Sequence, residues 1–479
     1  MLEGLEVSVI NLGVVREDNR VFRYDTQYYS KAALAIESKI KRGKWDTLEN
    51  LADGVESFGA YALTNEFTYQ ETGIPFLRCV NIRGGFADFG DVIYIDAKAN
   101  ELLAKSEVKP GMLLLTMSGS VGNATVALES WNYPVNSNQD IAKITPKSGI
   151  NPFYLTAFLG SKFGQIQMER LPVGSVQQHI FLWMIEGLAI ARLSPQLQEA
   201  IGCMVREAYE HEADSVTIGS KSVQTLLRAL GLEGWERPEP LTYTRRASEA
   251  LAAARLDAEH FRPKFAALLS KMREHGKVVR LGDCVRFCER GRQPQYAEEG
   301  LPVINSRHVR ANNVVLDEDN RFATEDAAQL KLDEEDRFTI KQGDLLINGT
   351  GVGTMGRCAP YLREDKALPD NHVTILRMKP EIGLEPIFLS VQLNSIIGQM
   401  QVEQYFKGSS GQIELYPSEI KEFRIWLAPP KIQEQIKSHL EQAHHSRQEA
   451  QTLLAKAKRA VEVAIEESES AALNYLKEI

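Results

Sequence analysis

The chain of 479 residues is written twice. Arg23-Tyr-Asp-Thr-Gln-Tyr-Tyr-Ser-Lys31 returns as Arg255-Leu-Asp-Ala-Glu-His-Phe-Arg-Pro-Lys264, and Gly73-Ile-Pro-Phe-Leu returns as Gly300-Leu-Pro-Val-Ile. Lys109-Pro-Gly-Met-Leu-Leu-Leu-Thr-Met-Ser-Gly119 returns as Lys341-Gln-Gly-Asp-Leu-Leu-Ile-Asn-Gly-Thr-Gly351. The offset of about 230 residues is far longer than the ~20–50 of a solenoid repeat, so the chain carries a duplicated domain. Two similar modules on one chain suit a protein that grips two similar things at a fixed separation.

Each copy presents the same signals in the same order. Arg-x-Asp with aromatics comes first, then a helical stretch, then short apolar or β-branched runs bounded by Gly, Pro, Asn and Asp. Such runs predict strands: 74–80, 91–95 and 112–116 in the first copy, 302–305, 313–316 and 344–348 in the second. Helices follow near Pro152 and Pro386, each proline suited to a first helical turn. Leu155/Leu159 and Leu389/Leu393 give each helix an apolar stripe.

After each body the periodicity changes. Pro195-Gln-Leu-Gln-Glu-Ala-Ile and Pro430-Lys-Ile-Gln-Glu-Gln-Ile open two long helices. In the second, apolar positions alternate by four and three through Ile436, Leu440, Ala443, Ala450, Leu454, Ala457, Val461, Ala464, Ala471 and Tyr475, broken by Arg447 and Ser468. About 35 helical residues reach about 50 Å. Two such helices make either a rigid strut or the core of an ordinary bundle. Leu232-Glu-Gly-Trp-Glu, beyond the first helix, resembles Leu2-Glu-Gly-Leu-Glu at the N-terminus. The repeat is therefore cyclic, which predicts a pseudo-twofold arrangement with heads at opposite ends of an antiparallel helix pair.

Net charge is −9. That weighs against a generic polyanion binder, but a basic cleft can sit on an acidic body because local fields steer a ligand. Much of the acidity lies in runs such as Asp317-Glu-Asp319 and Asp333-Glu-Glu-Asp336, which read as solvated loops. Five scattered cysteines complete no zinc pattern, and their odd number, with no signal peptide, favours the reducing cytoplasm. No run approaches the ~18 apolar residues of a membrane span.

Gly351-Val-Gly-Thr-Met-Gly356 spells a dinucleotide fingerprint, but that motif requires a following helix, and Gly119-Ser-Val-Gly122 in the first copy lacks the pattern. Asn151-Pro-Phe-Tyr154 resembles the Asn-Pro-Pro-Tyr motif of amino-methyltransferases. Its counterpart Glu385-Pro-Ile-Phe388 cannot do that chemistry, and a helix N-terminus is the better reading. His179, His308 and His372 are isolated histidines, ordinarily structural or surface polar. The stronger signal is a set of polar loops at equivalent places. Arg78, Asn81 and Arg83 answer to Asn305, Arg307, His308 and Arg310; Ser118, Ser120 and Asn123 to Thr350, Thr354 and Arg357. Gln177, Gln178 and His179 answer to Lys407, Ser409, Ser410 and Gln412. Arg reads guanine and Asn or Gln reads adenine, while Ser, Thr and backbone N–H groups hold phosphate. The alternative is that these residues cap turns.

In order and repetition these motifs resemble the specificity subunit of type I restriction–modification systems, over nearly the whole chain. The carriers are Arg255-Leu-Asp-Ala-Glu-His-Phe, Gly343-Asp-Leu-Leu-Ile-Asn-Gly-Thr-Gly, the Gly-Ser stretches at Gly174 and Gly408, and a Pro-x-x-x-Gln-Glu-x-Ile helix start after each body. The resemblance implies two mixed α/β target-recognition domains separated by two long helices forming an antiparallel coiled coil. The expected segments are a junction over 1–24, recognition domains over 25–194 and 255–429, a helical spacer over 195–254 and a C-terminal helix over 430–479. It implies no catalysis, cofactor or metal in this chain. It also implies double-stranded DNA as ligand, two methyltransferase subunits carrying S-adenosylmethionine, and restriction/translocase subunits using ATP and magnesium. The site loops above would be the DNA contacts. The alternatives are a recognition subunit of another phage-defence complex, a stand-alone DNA-modifying enzyme, or a coiled-coil scaffold that binds only proteins.

Overall fold

The computed structural model describes residues 9–17, 25–58, 67–173, 178–316, 321–323, 338–351, 353–408 and 413–477. The chain divides into two compact units, Met1–Ala213 with Ser446–Ile479, and Asp214–His445. Four expectations lie outside the described residues: the Leu2–Glu6 likeness to the central junction, the start of the Arg23 motif, and the two acidic runs.

In the first unit the strand Leu113–Thr116 is buried at all four positions. A strand covered on both faces reads as a continuous apolar run, which is what Leu-Leu-Leu-Thr spells. It lies inside a four-stranded sheet in the order Ala52–Glu56, Ile141–Pro146, Leu113–Thr116, Ala124–Val126. A second sheet runs Ile93–Ile95, Ile74–Leu77, Val135–Ser137, Glu107–Val108, and its two inner strands are parallel. The helices Pro152–Gly160 and Lys162–Glu169 cover the first sheet through Leu155, Phe158, Leu159 and Phe163. Asn151 is the cap of the first of these helices, accepting from the amides of Phe153 and Tyr154 at 2.9 and 3.2 Å. The Asn-Pro-Phe-Tyr stretch is thus a helix start.

The second unit rebuilds this order: Val285–Arg290, Val373–Met378, Leu345–Asn348, Cys358–Pro360 in one sheet. Leu368–Pro369 again pairs parallel with Leu301–Ile304. The Gly351–Gly356 loop leads into the strand Cys358–Pro360 and not into a helix, which removes the structural context of a dinucleotide site.

The duplication extends to single hydrogen bonds. Gln167 donates to the Ala189 carbonyl and accepts from its amide; Gln401 does the same with Arg424. Gln198 donates to Leu193 O and accepts from Asn151 N; Gln433 donates to Ala428 O and accepts from Glu385 N. These glutamines close the edges of short strands and helix starts whose backbone groups otherwise have no ladder, and buried polar groups demand that satisfaction.

The two long helices are Pro195–Ala229 and Pro430–Glu466, of 35 and 37 residues. In the first unit Leu197, Ile201, Val205 and Ala208 share a core with Leu454, Ala457 and Val461. Ser194 N meets the Glu469 carboxylate at 3.0 Å and His211 Nδ1 meets Ser446 Oγ at 3.4 Å, so the chain directions oppose. In the second unit Gly219 lies beside Ala443 and Ser222 Oγ reaches Ile436 O at 3.5 Å, again antiparallel, with Leu226 and Leu230 packed among Ile436 and Leu440. The heptad does not run unbroken to Tyr475 as its spacing predicts. The helix ends at Glu466 and a new one, Glu469–Lys477, begins with Ser468 Oγ accepting from Ala471 N at 3.1 Å. Ser468 interrupts the apolar pattern because it is a cap. Arg447, the other interruption, pairs with Glu212 at 2.9 Å.

Candidate nucleic-acid interface

In the first unit three separate stretches of sequence meet at the end of the central strand. The 3₁₀ turn Cys79–Asn81 follows the strand Ile74–Leu77, and Cys79 Sγ donates to Asp140 O at 3.1 Å. Gly119–Gly122 is the loop after Leu113–Thr116; Met117 N donates to Asp140 O at 2.7 Å. Residues 178–180 come alongside through Ile180 N to Met117 O at 2.9 Å. His179 Nδ1 then lies 3.9 Å from Asp140 Oδ1. Gly122, at φ +89°, lets the loop turn back under Met168, and its amide closes on Thr116 O at 3.0 Å.

The predicted residues divide by what their side chains already do. Asn81 is fully buried: its Oδ1 accepts from Arg78 N at 3.0 Å and its Nδ2 donates to Asp88 O at 3.2 Å. His308 is its counterpart, 2% exposed, with Nδ1 accepting from Asn305 N at 3.1 Å. Both hold turns, so the expectation that they face a base is corrected: a side chain wholly used in folding its own loop has no edge left to offer. Ser118 is likewise buried. Arg78 reaches Asp91 O at 3.3 Å, and Arg83 donates to Val80 O at 3.0 Å. Asn123 accepts from Gly84 N at 3.3 Å and ties the two loops together. Ser120 and Gln178 are exposed at the loop surface.

The second unit brings the same places together. Asn305 and His308 shape the turn from which Arg307 projects, exposed, its amide bonded to Asn305 Oδ1 at 2.9 Å. Arg310 is half-buried on the strand Val309–Arg310. Asn348 anchors the patch, donating to the carbonyls of Ser306, Val309 and Thr354 at 3.0, 3.2 and 3.3 Å. Thr350 Oγ1 lies 2.8 Å from His372 Nδ1, and Thr354 Oγ1 donates to Thr350 O at 3.0 Å. Arg357 sits half-buried at the foot of the loop. Lys407 pairs with Glu419 at 2.7 Å. Gln177, Ser409, Ser410 and Gln412 lie outside the described residues.

The sequence reading missed Asp140, Arg290, Asp370 and Glu414. Arg290 Nη1 pairs with Glu414 at 3.3 Å and stands over the Tyr416 ring at 5.7 Å. The Tyr416 hydroxyl, then Arg290 and His372, hold the Glu414 carboxyl below its usual range. Burial pushes Asp370 the other way, partly offset by the His372 amide and imidazole and by Arg290. The available signal was positional: Asn138-Gln-Asp140 and Asp370-Asn-His372 occupy the same place in the two copies, before Ile141–Pro146 and Val373–Met378. The ring atom facing a partner is Nδ1 in both modules, toward a carboxylate in one and a hydroxyl in the other. Among the described residues no group of three or more His, Cys, Asp or Glu side chains is placed to hold a metal, and no helix is long and apolar enough to cross a membrane.

No protein-family profile and no curated protein matches the chain. Solved structures do. A type I restriction–modification system S subunit from M. genitalium is 12% identical, with a TM-score of 0.35, over 88% of this chain and 94% of that one. The HsdS subunit from Thermoanaerobacter tengcongensis is 15% identical, with a TM-score of 0.27, over 90% of this chain and 96% of that one. A chain from a structure of type I R-M complex assembly and conformational transition is 14% identical, with a TM-score of 0.27, over 91% and 96%.

Proposed function

We propose that this chain is the non-catalytic specificity subunit of a type I restriction–modification complex, with each unit reading one half of a gapped DNA target. One observation carries the proposal: the framework is duplicated down to individual glutamine hydrogen bonds, while the side chains at the loop ends differ. A duplicated enzyme keeps its reacting groups; a pair of readers keeps its frame and varies its tips. Arg307, Ser120, Gln178, Arg357 and Lys407 are the proposed DNA-facing side chains, with Arg78, Arg83, Asn123, Arg310, Thr350 and Thr354 shaping or flanking the loops. Two methyltransferase subunits would dock on the chain and supply S-adenosylmethionine, flipping the target adenine from the stack. ATP and magnesium would belong to restriction/translocase subunits, and the complex would act in the cytoplasm.

The test is selection from random duplexes by the chain assembled with its methyltransferase. The expected product is a two-part sequence with a fixed unspecified gap, and affinity should fall with salt by about 0.9 log unit per log unit for each phosphate neutralised. Arg307→Ala should relax one position in one half-site, with a loss of discrimination of about 1–3 kcal/mol. Equal loss at both halves would contradict the modular reading.

A further inference from the structure

The strand Val285–Arg290 leaves the main sheet of the second unit at the end where Asn348 lies. Arg290 stays at that end, its guanidinium donating to Asn371 O and to Glu414. Residues 291–297 then cross to the second sheet. Gly291 N donates to Val373 O at 2.8 Å, and a Cβ at Gly291 would stand 2.2 Å from Asp370 O. That close approach seats the start of the loop against the backbone around Asp370. Its far end is seated by Ala297 N to Phe322 O at 2.8 Å. Val303 N donates to Arg321 O at 2.8 Å, which places Arg321 beside the strand that runs into the Asn305–His308 turn. Asp370 N donates to Ile304 O at 2.9 Å at the end of that strand. Both ends of the loop are thus fixed to backbone that leads to the turn of Arg307.

Two guanidinium groups flank this loop, and a ring holds each. Arg292 Cζ stands 5.0 Å from the centre of the Phe338 ring, and Arg321 Cζ 4.8 Å from that of Tyr296. Arg292, Gln293, Gln295, Tyr296 and Arg321 are all exposed. Among the described residues neither arginine has a carboxylate within ion-pairing reach, whereas Arg290 beside them has Glu414 at 3.3 Å. The first unit keeps the ring. Gln70 bridges to Tyr94 as Ala297 bridges to Phe322, so Tyr69, 53% exposed, stands where Tyr296, 40% exposed, does. Tyr69 lies against Phe76 with centroids 5.8 Å apart, and Ile93 takes the place of Arg321. At that place the cation belongs to the second unit.

Resting on the recognition reading, we infer that Arg292 and Arg321 form a clamp on the phosphate backbone beside the half-site read by the second unit. Both would hold the duplex and read no base. A ring face fixes where a guanidinium sits and takes none of its N–H donors. It leaves the group free to turn in its own plane. A phosphate oxygen accepts from any in-plane direction, whereas guanine O6 and N7 require one edge in one register. A base-reading arginine needs an acceptor beside it to stop that rotation; Arg290 has such acceptors, and Arg292 and Arg321 do not.

Salt titration of duplex binding tests this, using the chain assembled with the proposed methyltransferase partner and a duplex carrying the selected target. Arg292→Gln and Arg321→Gln should each make the slope of log K against log salt shallower by about 0.9. Each should weaken binding about 8-fold at about 0.1 M salt, and the loss should vanish near 1 M. Selection from random duplexes should return the wild-type sequence in both half-sites. Arg292→Lys and Arg321→Lys keep the charge and should restore the slope, because a phosphate accepts a point charge. Wild-type slopes in both glutamine variants, with target selection intact, overturn the clamp and leave the recognition reading standing. Degeneracy at a single base pair that lysine does not restore makes these arginines base readers, and also overturns it. Absence of any sequence selection by wild type sinks the recognition reading and the clamp with it.

Discussion

Gly398→Ala should destabilise the protein by about 3 kcal/mol, the upper part of the range for forced overpacking. A Cβ at Gly398 would stand 2.0 Å from the Leu393 carbonyl oxygen and 2.4 Å from the Leu393 Cα. These are backbone atoms of the preceding helix, Pro386–Asn394, whose last turn is pinned by Gln399 Nε2 to Leu393 O at 3.2 Å. No rotamer change relieves such a contact; one helix must move against the other. Gly164 repeats the arrangement, with a Cβ 2.4 Å from Leu159 Cα and O, and Gln165 Nε2 bonded to Leu159 O at 2.7 Å. Gly164→Ala should therefore cost a similar amount in the other unit. Urea denaturation of both variants checks this, and wild-type midpoints would show that the helix junction is not the rigid element described.

Lys143→Ile should stabilise the protein at pH 7 by about 2–3 kcal/mol, at about 1.4 kcal/mol per pKa unit. Lys143 is 2% exposed, and its Nζ donates to Ser137 Oγ at 3.1 Å. Burial pulls its pKa down to about 8 from 10.5, with only the cross-strand Glu56 opposing. The sign follows from proton linkage. Below pH 8 both folded and unfolded chains carry the charge, so the whole cost of burying it is present. Between pH 8 and 10.5 the unfolded chain binds more protons, so wild-type stability rises with pH. Above 10.5 both forms are neutral and the cost is gone. The gain from Lys143→Ile should accordingly be large at pH 7 and small near pH 10.5. The second unit has Ile375 at this place, paired across to Glu289 as Lys143 pairs to Glu56, so the replacement is one the framework already accommodates. Removing the lysine leaves Ser137 Oγ bonded to Ser106 O at 3.3 Å, so no buried hydroxyl is orphaned. Equal stabilities for the two proteins at pH 7 would refute the assignment of a buried charge.

Much of this architecture was legible in the residues because duplication supplies an internal comparison. The strands at Ile74, Leu113 and Leu345, the helices opened by Pro152 and Pro386, and the two long helices all follow from period and punctuation. The fate of individual polar side chains did not follow. Asn81 and His308 occupy one place in two turns, and each bonds a backbone amide three residues away. Residue type cannot distinguish that duty from base reading, since Asn and His serve both. Ser468 looked like a fault in a heptad, yet it starts a helix, because a cap and a polar interruption share one composition. The correspondence of the late loops was hidden by chain length. Asp140 and His372 are offset by 232 positions, as Leu113 and Leu345 are, but His179 and Glu414 by 235, because the stretch between is three residues longer in the second copy. The backbone hydrogen bonds, Met117 N to Asp140 O and Gly349 N to His372 O among them, show which places correspond.

The central claim is that two different heads read two different half-sites. Its most direct measurement is a methylome: the chain is expressed with the methyltransferase subunit proposed as its partner in a host without adenine methylation, and modified adenines are mapped by single-molecule sequencing. The account predicts one two-part motif with a fixed unspecified gap, and Arg307→Ala should blur one part while the other stays sharp. Soluble proteins that leave no new methylation, or a single undivided motif, would contradict it.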